Sequence, residues 1–261
     1  MRLAALLSFL LAAADGGSLA PDAGAAAAPA VPGLPAGAVE LLPPGAKPDA
    51  RLPLIIAIHG RGATPLRFAQ FVQNSANGAR IVALQAPEPW GDGFSWLETR
   101  KASNLSTALV DEDRALNDLI LRRVSEIRAA IAQIDRARPH CGDPILVGYS
   151  QGGALVLGLA ATTPKGFKAQ YLEIAGALPP SFPLGQNLPD LIGFHGTADQ
   201  AVPFVLAEAT FRRVPKNVTW TLYAYDGAPH DPPRELRQDL GEELRQAFQR
   251  ACPLPPDAPR R

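Results

Sequence analysis

Pro144-Ile145-Leu146-Val147-Gly148-Tyr149-Ser150-Gln151-Gly152-Gly153-Ala154-Leu155-Val156-Leu157-Gly158-Leu159-Ala160 is a short apolar run, a hexapeptide of small and polar residues, and a second apolar run. The first run has the length and composition of a buried strand. The second reads as a buried helix that opens on small residues. Between them lies Gly-x-Ser-x-Gly, and in a strand–turn–helix setting that is the pattern of a nucleophile elbow. The turn is so tight that its serine takes a strained backbone conformation, and the residues two before and two after it must lack bulk. The strain lifts the serine oxygen over the sheet edge. The helix behind it begins with unpaired N–H groups and a positive dipole end, both suited to a developing oxyanion. The same composition also fits a small-residue turn that merely lets a helix pack on a strand, so the reading depends on partners elsewhere in the chain.

Alternating strand and helix patterns run outward from this segment, from about residue 39 to the C-terminal region. Strands are predicted at Val39–Leu42, Leu54–Ile58, Ile81–Gln85, Ile145–Val147, Gln170–Ala175, Leu191–His195 and Val218–Tyr225. Helices are predicted at Leu66–Asn77, Asp111–Arg138, Phe204–Val214 and Pro232–Cys252. The longest has apolar positions at Leu116, Leu119, Ile120, Val124, Ile127, Ala130, Ile131 and Ile134, the spacing of one buried helical face. The expected fold class is α/β: a doubly wound, mostly parallel sheet flanked by helices, with reactive groups at the carboxyl ends of the strands.

A serine nucleophile needs a base, and the base needs an orienting acid. On this fold the chain order is Ser, then acid, then His. Of the four histidines, only His195 and His230 follow Ser150. His230 lies in Asp226-Gly227-Ala228-Pro229-His230, just past the last strand, where a base can hang over the nucleophile. Asp199 is the expected acid, Asp226 the fallback, and His195 a structural residue of its loop. Ile58-His59-Gly60-Arg61-Gly62 is a strand end followed by glycines. The expected oxyanion donors are therefore the backbone N–H groups of Arg61 and Gln151, with His59 holding its loop. Phe94, Trp96, Leu178 and Phe204 are candidates to line a shallow acyl pocket, or equally ordinary packing residues. Only about 15 residues join the strands at Gln170–Ala175 and Leu191–His195, and Pro179, Pro180, Pro183 and Pro189 discourage a long helix there, so no large lid is expected.

These residues resemble the phospholipase/carboxylesterase family of α/β hydrolases, which includes acyl-protein thioesterases and small bacterial carboxylesterases. The matching pieces are Leu54–Gly62, Gln85–Trp96, Val147–Gly153, Ile174–Pro179, His195–Pro203 and Gly227–His230. The resemblance implies the α/β-hydrolase fold, a triad of Ser150, Asp199 and His230, and oxyanion donors at Arg61 and Gln151. It places Trp96 near the active-site rim. Implied with it is acyl transfer to water from a small-molecule ester or thioester through an acyl-Ser150 intermediate, without cofactor or metal. The rival readings are a secreted polyester depolymerase or feruloyl-type esterase, and a non-catalytic binding protein on the same fold. A secreted peptidase fits less well, since no propeller or cap domain accompanies the sheet.

Length and composition agree with one large domain: 261 residues, 47% hydrophobic, with a formal charge of zero. Such neutrality argues against nucleic acid as partner. Residues 1–20 read as a signal peptide, with Arg2 before an apolar stretch at Leu3–Ala14 too short to span a bilayer; the alternative is a buried N-terminal helix. Residues 21–38 are rich in Ala, Pro and Gly and read as a flexible linker, 39–254 as the catalytic domain and 255–261 as a tail. A bacterial periplasmic or secreted protein fits, with no stable membrane insertion after cleavage, as monomer or homodimer. The two cysteines, Cys141 before the nucleophile strand and Cys252 at the end of the last helix, either form a disulfide on the face opposite the site or remain two buried thiols.

Overall fold

The structure, a computed structural model, describes residues 31–97 and 108–253, the side chains of 108–112 excepted. The expected signal peptide, most of the linker and the tail lie outside the described residues. Nine strands and five helices follow one another as β1 (Val39–Leu41), β2 (Leu54–Ile58), α1 (Pro65–Ser75), β3 (Arg80–Leu84), β4 (Glu88–Trp90), β5 (Gly93–Ser95), α2 (Ala108–Ala137), β6 (Ile145–Tyr149), α3 (Gln151–Ala161), β7 (Gln170–Ile174), β8 (Leu191–Gly196), α4 (Phe204–Arg212), β9 (Trp220–Tyr225) and α5 (Arg234–Ala251) among the described residues. Boundaries move by one to three residues from the sequence reading. Thr64 caps α1 by accepting the Arg67 N–H at 3.3 Å, and Pro65 occupies the first turn, where its missing N–H costs nothing.

Seven strands form one sheet in the order β1-β3-β2-β6-β7-β8-β9. All neighbours are parallel except β1, which runs antiparallel to β3. The chain winds outward from β2 to β3, then returns across the sheet to β6 and continues the other way. The switch point therefore falls between β2 and β6, where the loops leaving two adjacent strands diverge and leave a crevice. β4 and β5 form a separate antiparallel hairpin.

Burial follows the pleat. Leu54, Ile56 and Ile58 of β2 pack with Leu116, Ile120 and Val124 of α2 and with Leu155 and Leu159 of α3. Ile55 and Ala57 point the other way, to Phe68 and Val72 of α1 and to Leu236, Leu240 and Leu244 of α5. Alternate residues of one continuous apolar run thus feed two cores, as a sheet covered on both faces requires. The end of the expected linker departs from its reading: Leu34 and Ala38 are buried against the main core, because short apolar residues between turns find a hydrophobic seat beside α2. On the same edge the buried Arg80 side chain is paired with Glu40 and donates to the Pro48 and Ala50 carbonyls at 2.7 and 3.2 Å, tying β1 and the loop after it to β3.

Cys141 and Cys252 are joined in a disulfide, with their α-carbons 5.4 Å apart, across a separation of 111 residues. The bond fastens the loop before β6 to the end of α5. Loop-closure entropy assigns it about 4–5 kcal/mol, a large share of the roughly 5–15 kcal/mol that holds a domain of this size folded. Cys252→Ser should lower the urea midpoint strongly, and reductant should lower the wild-type midpoint to match. Coincident transitions for oxidised, reduced and variant protein would show that the bridge contributes nothing.

Candidate active site

Ser150 sits between β6 and α3 with φ 56° and ψ −114°, a left-handed-side backbone that non-glycine residues rarely adopt. The turn is held in place by neighbours on both sides. The Ser150 N–H donates to Ile174 O at 2.8 Å, which continues the β6–β7 ladder through the turn. A β-carbon on Gly152 would overlap the Ile58 carbonyl oxygen, and one on Gly148 would overlap that of Gly152. Only glycine lets the first turn of α3 slide in against the end of β2. Ser150 is the N-cap of α3 without capping it through its side chain, so its hydroxyl is available for other bonds.

That hydroxyl is 2.9 Å from Nε2 of His230. His230 Nδ1 lies 2.7 Å from Oδ2 of Asp199. A carboxylate only accepts, so Nδ1 carries the proton and bare Nε2 accepts from the serine. Asp199 and His230 come from the loops after β8 and β9, and His195 from the last residues of β8 itself, all at the carboxyl ends of the strands. Oδ1 of Asp199 accepts the N–H groups of Ala201 and Val202, both at 2.8 Å. Burial alone would raise this carboxyl, but hydrogen bonds from His195 and His230 outweigh it and hold Asp199 well below the usual carboxylate range. Asp226, the fallback acid, is exposed and instead accepts the Thr197 hydroxyl at 3.2 Å.

His195 has a larger part than loop structure. Its Nε2 is 2.7 Å from Val202 O and 3.3 Å from Asp199 Oδ2, so the acid lies between two imidazoles. Tyr149 was not anticipated either. Its hydroxyl donates to the His230 carbonyl at 3.2 Å, and its ring packs beside the imidazole with 5.1 Å between centroids.

The loop after β2 runs beside the nucleophile. A β-carbon on Gly60 would stand 3.2 Å from that of Ser150. Two anchors hold this loop. His59 is fully buried; its Nε2 accepts the Ala86 N–H at 3.2 Å, so its protonated Nδ1 donates to Gly60 O at 2.7 Å. The second anchor is the β4–β5 hairpin, which pairs back onto the loop through Gly62 N–Phe94 O at 2.9 Å and Phe94 N–Ala63 O at 3.1 Å. The Gln151 side chain, for which the sequence reading gave no role, accepts from Ser95 Oγ at 3.0 Å and Trp96 N at 2.9 Å. It joins the elbow to the hairpin.

The expected acyl-pocket residues divide. Trp96 and Leu178 are 4% and 2% exposed and belong to the core, in keeping with the packing alternative. The Trp96 indole donates to His59 O at 3.0 Å and so braces the loop after β2. A large ring with one polar atom lowers its free energy by burial wherever a carbonyl waits for the N–H. Phe94 and Phe204 remain partly exposed, with Phe204 edge-on to His195 at 5.9 Å. Among the described residues no cluster of three or more His, Cys, Asp or Glu side chains could hold a metal ion, and no helix is long and apolar enough to cross a membrane.

Residues 54–261 match the model of the Alpha/beta hydrolase family. No curated protein matches the chain in sequence. Among solved structures, esterase PE8 is similar at 18% identity and TM-score 0.58, covering 80% of this chain and 97% of its own. Arabidopsis thaliana SOBER1 is similar at 22% identity and TM-score 0.57, over 76% of this chain and 99% of its own. The Bacillus cereus carboxylesterase is similar at 14% identity and TM-score 0.52, over 81% of this chain and 94% of its own. At these identities the likeness concerns the fold.

Burial depresses His59 to about 4 from 6.5, the bond to Gly60 opposing in part. An unfolded chain would take up this proton near pH 6.5, whereas the folded one resists it until about 4, so stability falls as pH drops through that window. The loss at the bottom of the window is about 3 kcal/mol. Urea unfolding at pH 7 and pH 4.5 should reveal it, and His59→Gln should flatten the slope over that interval. An equal slope in the variant would assign the acid sensitivity to other groups.

Proposed function

The chain belongs to the alpha/beta hydrolase family, and from that premise we propose that it is a serine hydrolase of carboxylic esters, thioesters included, acting through an acyl-Ser150 intermediate. One observation carries the reading: the unbroken line from Ser150 Oγ to His230 at 2.9 Å and from His230 to Asp199 at 2.7 Å. Ser150 attacks the substrate carbonyl while its proton passes to His230 Nε2. The oxyanion is received by the backbone N–H groups of Gln151, at the start of α3, and Arg61, in the loop beside Ser150. His230 then protonates the leaving group, and in the second half-reaction it activates water to release the acid. Asp199 fixes the tautomer and stabilises the imidazolium.

The phospholipase/carboxylesterase branch of the family suits the connection between β7 and β8. Residues 175–190 between β7 and β8 hold no helix, and Leu178 and Phe182 within them are buried, which leaves no lid in that segment to open at an interface. Small and medium water-soluble esters are therefore the proposed substrates. A second reading, bulky aromatic or polymeric esters, is favoured by one feature. Trp90 at the tip of the hairpin is 43% exposed, with the Arg61 guanidinium 4.9 Å from its ring centroid, a flat platform at the rim. The disulfide supports export to an oxidising compartment, the periplasm or the medium.

Ser150→Ala should abolish fluorophosphonate labelling and p-nitrophenyl ester turnover while leaving the fold intact; retained turnover would overturn the reading. Asp199→Asn should lower kcat by about 10³–10⁴-fold, as the wrong tautomer of the base becomes favoured, and Asp226→Asn should change it little. Reversed outcomes would transfer the role of the acid.

In an acyl-chain series, kcat/KM should peak at short to medium lengths with no jump in rate at the solubility limit. A preference for feruloyl esters or polyester films, lost in Trp90→Ala, would select the second reading.

A further inference from the structure

Glu173 lies in the middle of β7 and is fully buried, in a strand whose other core positions are apolar. Neither solvent nor a basic side chain of its own strand explains a carboxyl there. Its Oε2 accepts the Gly176 N–H at 2.8 Å, which closes the turn after the strand. Its Oε1 has no hydrogen-bond partner. In the sheet Glu173 stands opposite Gly193 of β8, and a β-carbon on Gly193 would overlap Oε1. The carboxyl therefore lies across the bare glycine. His195 follows two residues later on the same strand and so projects from the same face. It is fully buried, and its Nδ1 is likewise without a partner. An orphaned acceptor and an orphaned ring nitrogen thus share one dry layer directly behind the triad, where each unmet group is costly.

We propose that Glu173 is a positioning residue for the triad: its carboxylate keeps His195 doubly protonated, so that Asp199 is held between a permanent imidazolium on one side and His230 on the other. Only acceptors, Val202 O and Asp199 Oδ2, surround His195 Nε2, so that nitrogen carries a proton in any state. One further proton can sit either on Nδ1 or on the Glu173 carboxyl, which are not hydrogen-bonded to each other. Asp199 decides where it stays, because a cation on the ring lies between two carboxylates, whereas a proton on Glu173 leaves Asp199 uncompensated on that side. The shift at His195 runs with this: burial would lower it, but the bond to Asp199 and the charge of Glu173 raise it. The shift at Glu173 runs against it: burial pushes that carboxyl up to about 8, toward its protonated form, with the charge of His195 opposing. Other groups on the neighbouring elements are already engaged. Tyr171 bonds to Thr163, Arg213 donates to the Pro179 carbonyl and to that of Phe182, Glu208 pairs with Arg212, and α3 carries no charged residue.

The inference rests on the hydrolase reading of Ser150, and the test separates the two. Glu173→Gln keeps an acceptor for Gly176 and places an amide N–H toward His195 Nδ1, which locks the ring neutral. Asp199 then acts on His230 without a competing cation. The acid limb of kcat/KM for a p-nitrophenyl ester should move to higher pH by on the order of half a unit or more, with KM little changed. Glu173→Asp should restore it in part. His195→Gln should shift it in the same direction, and the double variant no further, since the two act through one another. An unmoved or lowered limb, or additive shifts, would overturn the proposal, because a purely structural role moves stability and not the limb. If the variants do not fold, ¹⁵N NMR of the wild-type protein still decides it: His195 should be cationic at pH 7, and a neutral ring would overturn the proposal. The spectrum holds even if the wild type proves to turn over no ester, an outcome that would instead defeat the hydrolase reading.

Discussion

Everything in the site depends on how closely the start of α3 approaches the end of β2. With Gly152 against the Ile58 carbonyl and Gly148 against that of Gly152, the helix enters where no side chain fits. This contact sets three things at once. It turns Ser150 into its strained backbone, it aims the N-terminus of α3 at the space above the serine, and it brings the His59–Gly62 loop alongside. The strain is tolerated because α3 is buried along its whole length, so the packing of eleven residues opposes any relaxation of the turn.

Around that contact the polar groups form two separate braces. On the β2 side, His59, Trp96, Ser95 and the Gln151 side chain lock the loop after β2, the hairpin and the elbow together. On the β8 side, Asp199 is clasped by two backbone amides and two imidazoles. Apart from His230, which is partly exposed, both braces are buried, where a hydrogen bond of good geometry is stiff and a broken one is expensive. Ser150 thus has a fixed neighbour on each flank, and such preorganisation is what the proposed hydrolysis would draw on as charge develops.

Much of this was legible in the sequence for a simple reason. Central parallel strands are continuous apolar runs, and the glycines at 148 and 152 reflect a steric requirement local to six residues. That Asp199 and His230 meet Ser150 was legible because chain order on this fold places those loops beside the elbow. What escaped was long-range. The β4–β5 hairpin is built from three-residue strands containing Pro89 and Gly93, too short for any periodicity to register. Trp96 looked like a rim aromatic, yet it is buried, because only the folded chain places the His59 carbonyl within reach of its indole. The part played by Tyr149 depends on a loop 81 residues away. Glu173 did leave a signal: a lone carboxyl at a core position of the Gln170–Ile174 run. A buried acid in a central strand contradicts the local pattern, and such contradictions gather at functional sites.

The placement of charge behind the nucleophile also follows from the dielectric. A single buried carboxylate orienting a histidine would be costly to desolvate, and each further buried group adds to the penalty unless it is paired. Asp199 meets this with donors on every side: two amides to one oxygen, two rings to the other. The second ring is the unusual element, since one imidazole suffices to form a triad. Its burial is costly while Nδ1 is unsatisfied, and β7 presents the carboxyl of Glu173 to that same layer. Gly193 is what admits it. A side chain there would fill the layer and displace the acid, so the lone glycine of β8 before His195 and the lone acid of β7 are best understood as one feature, a space in the sheet kept open for a buried carboxyl behind Asp199.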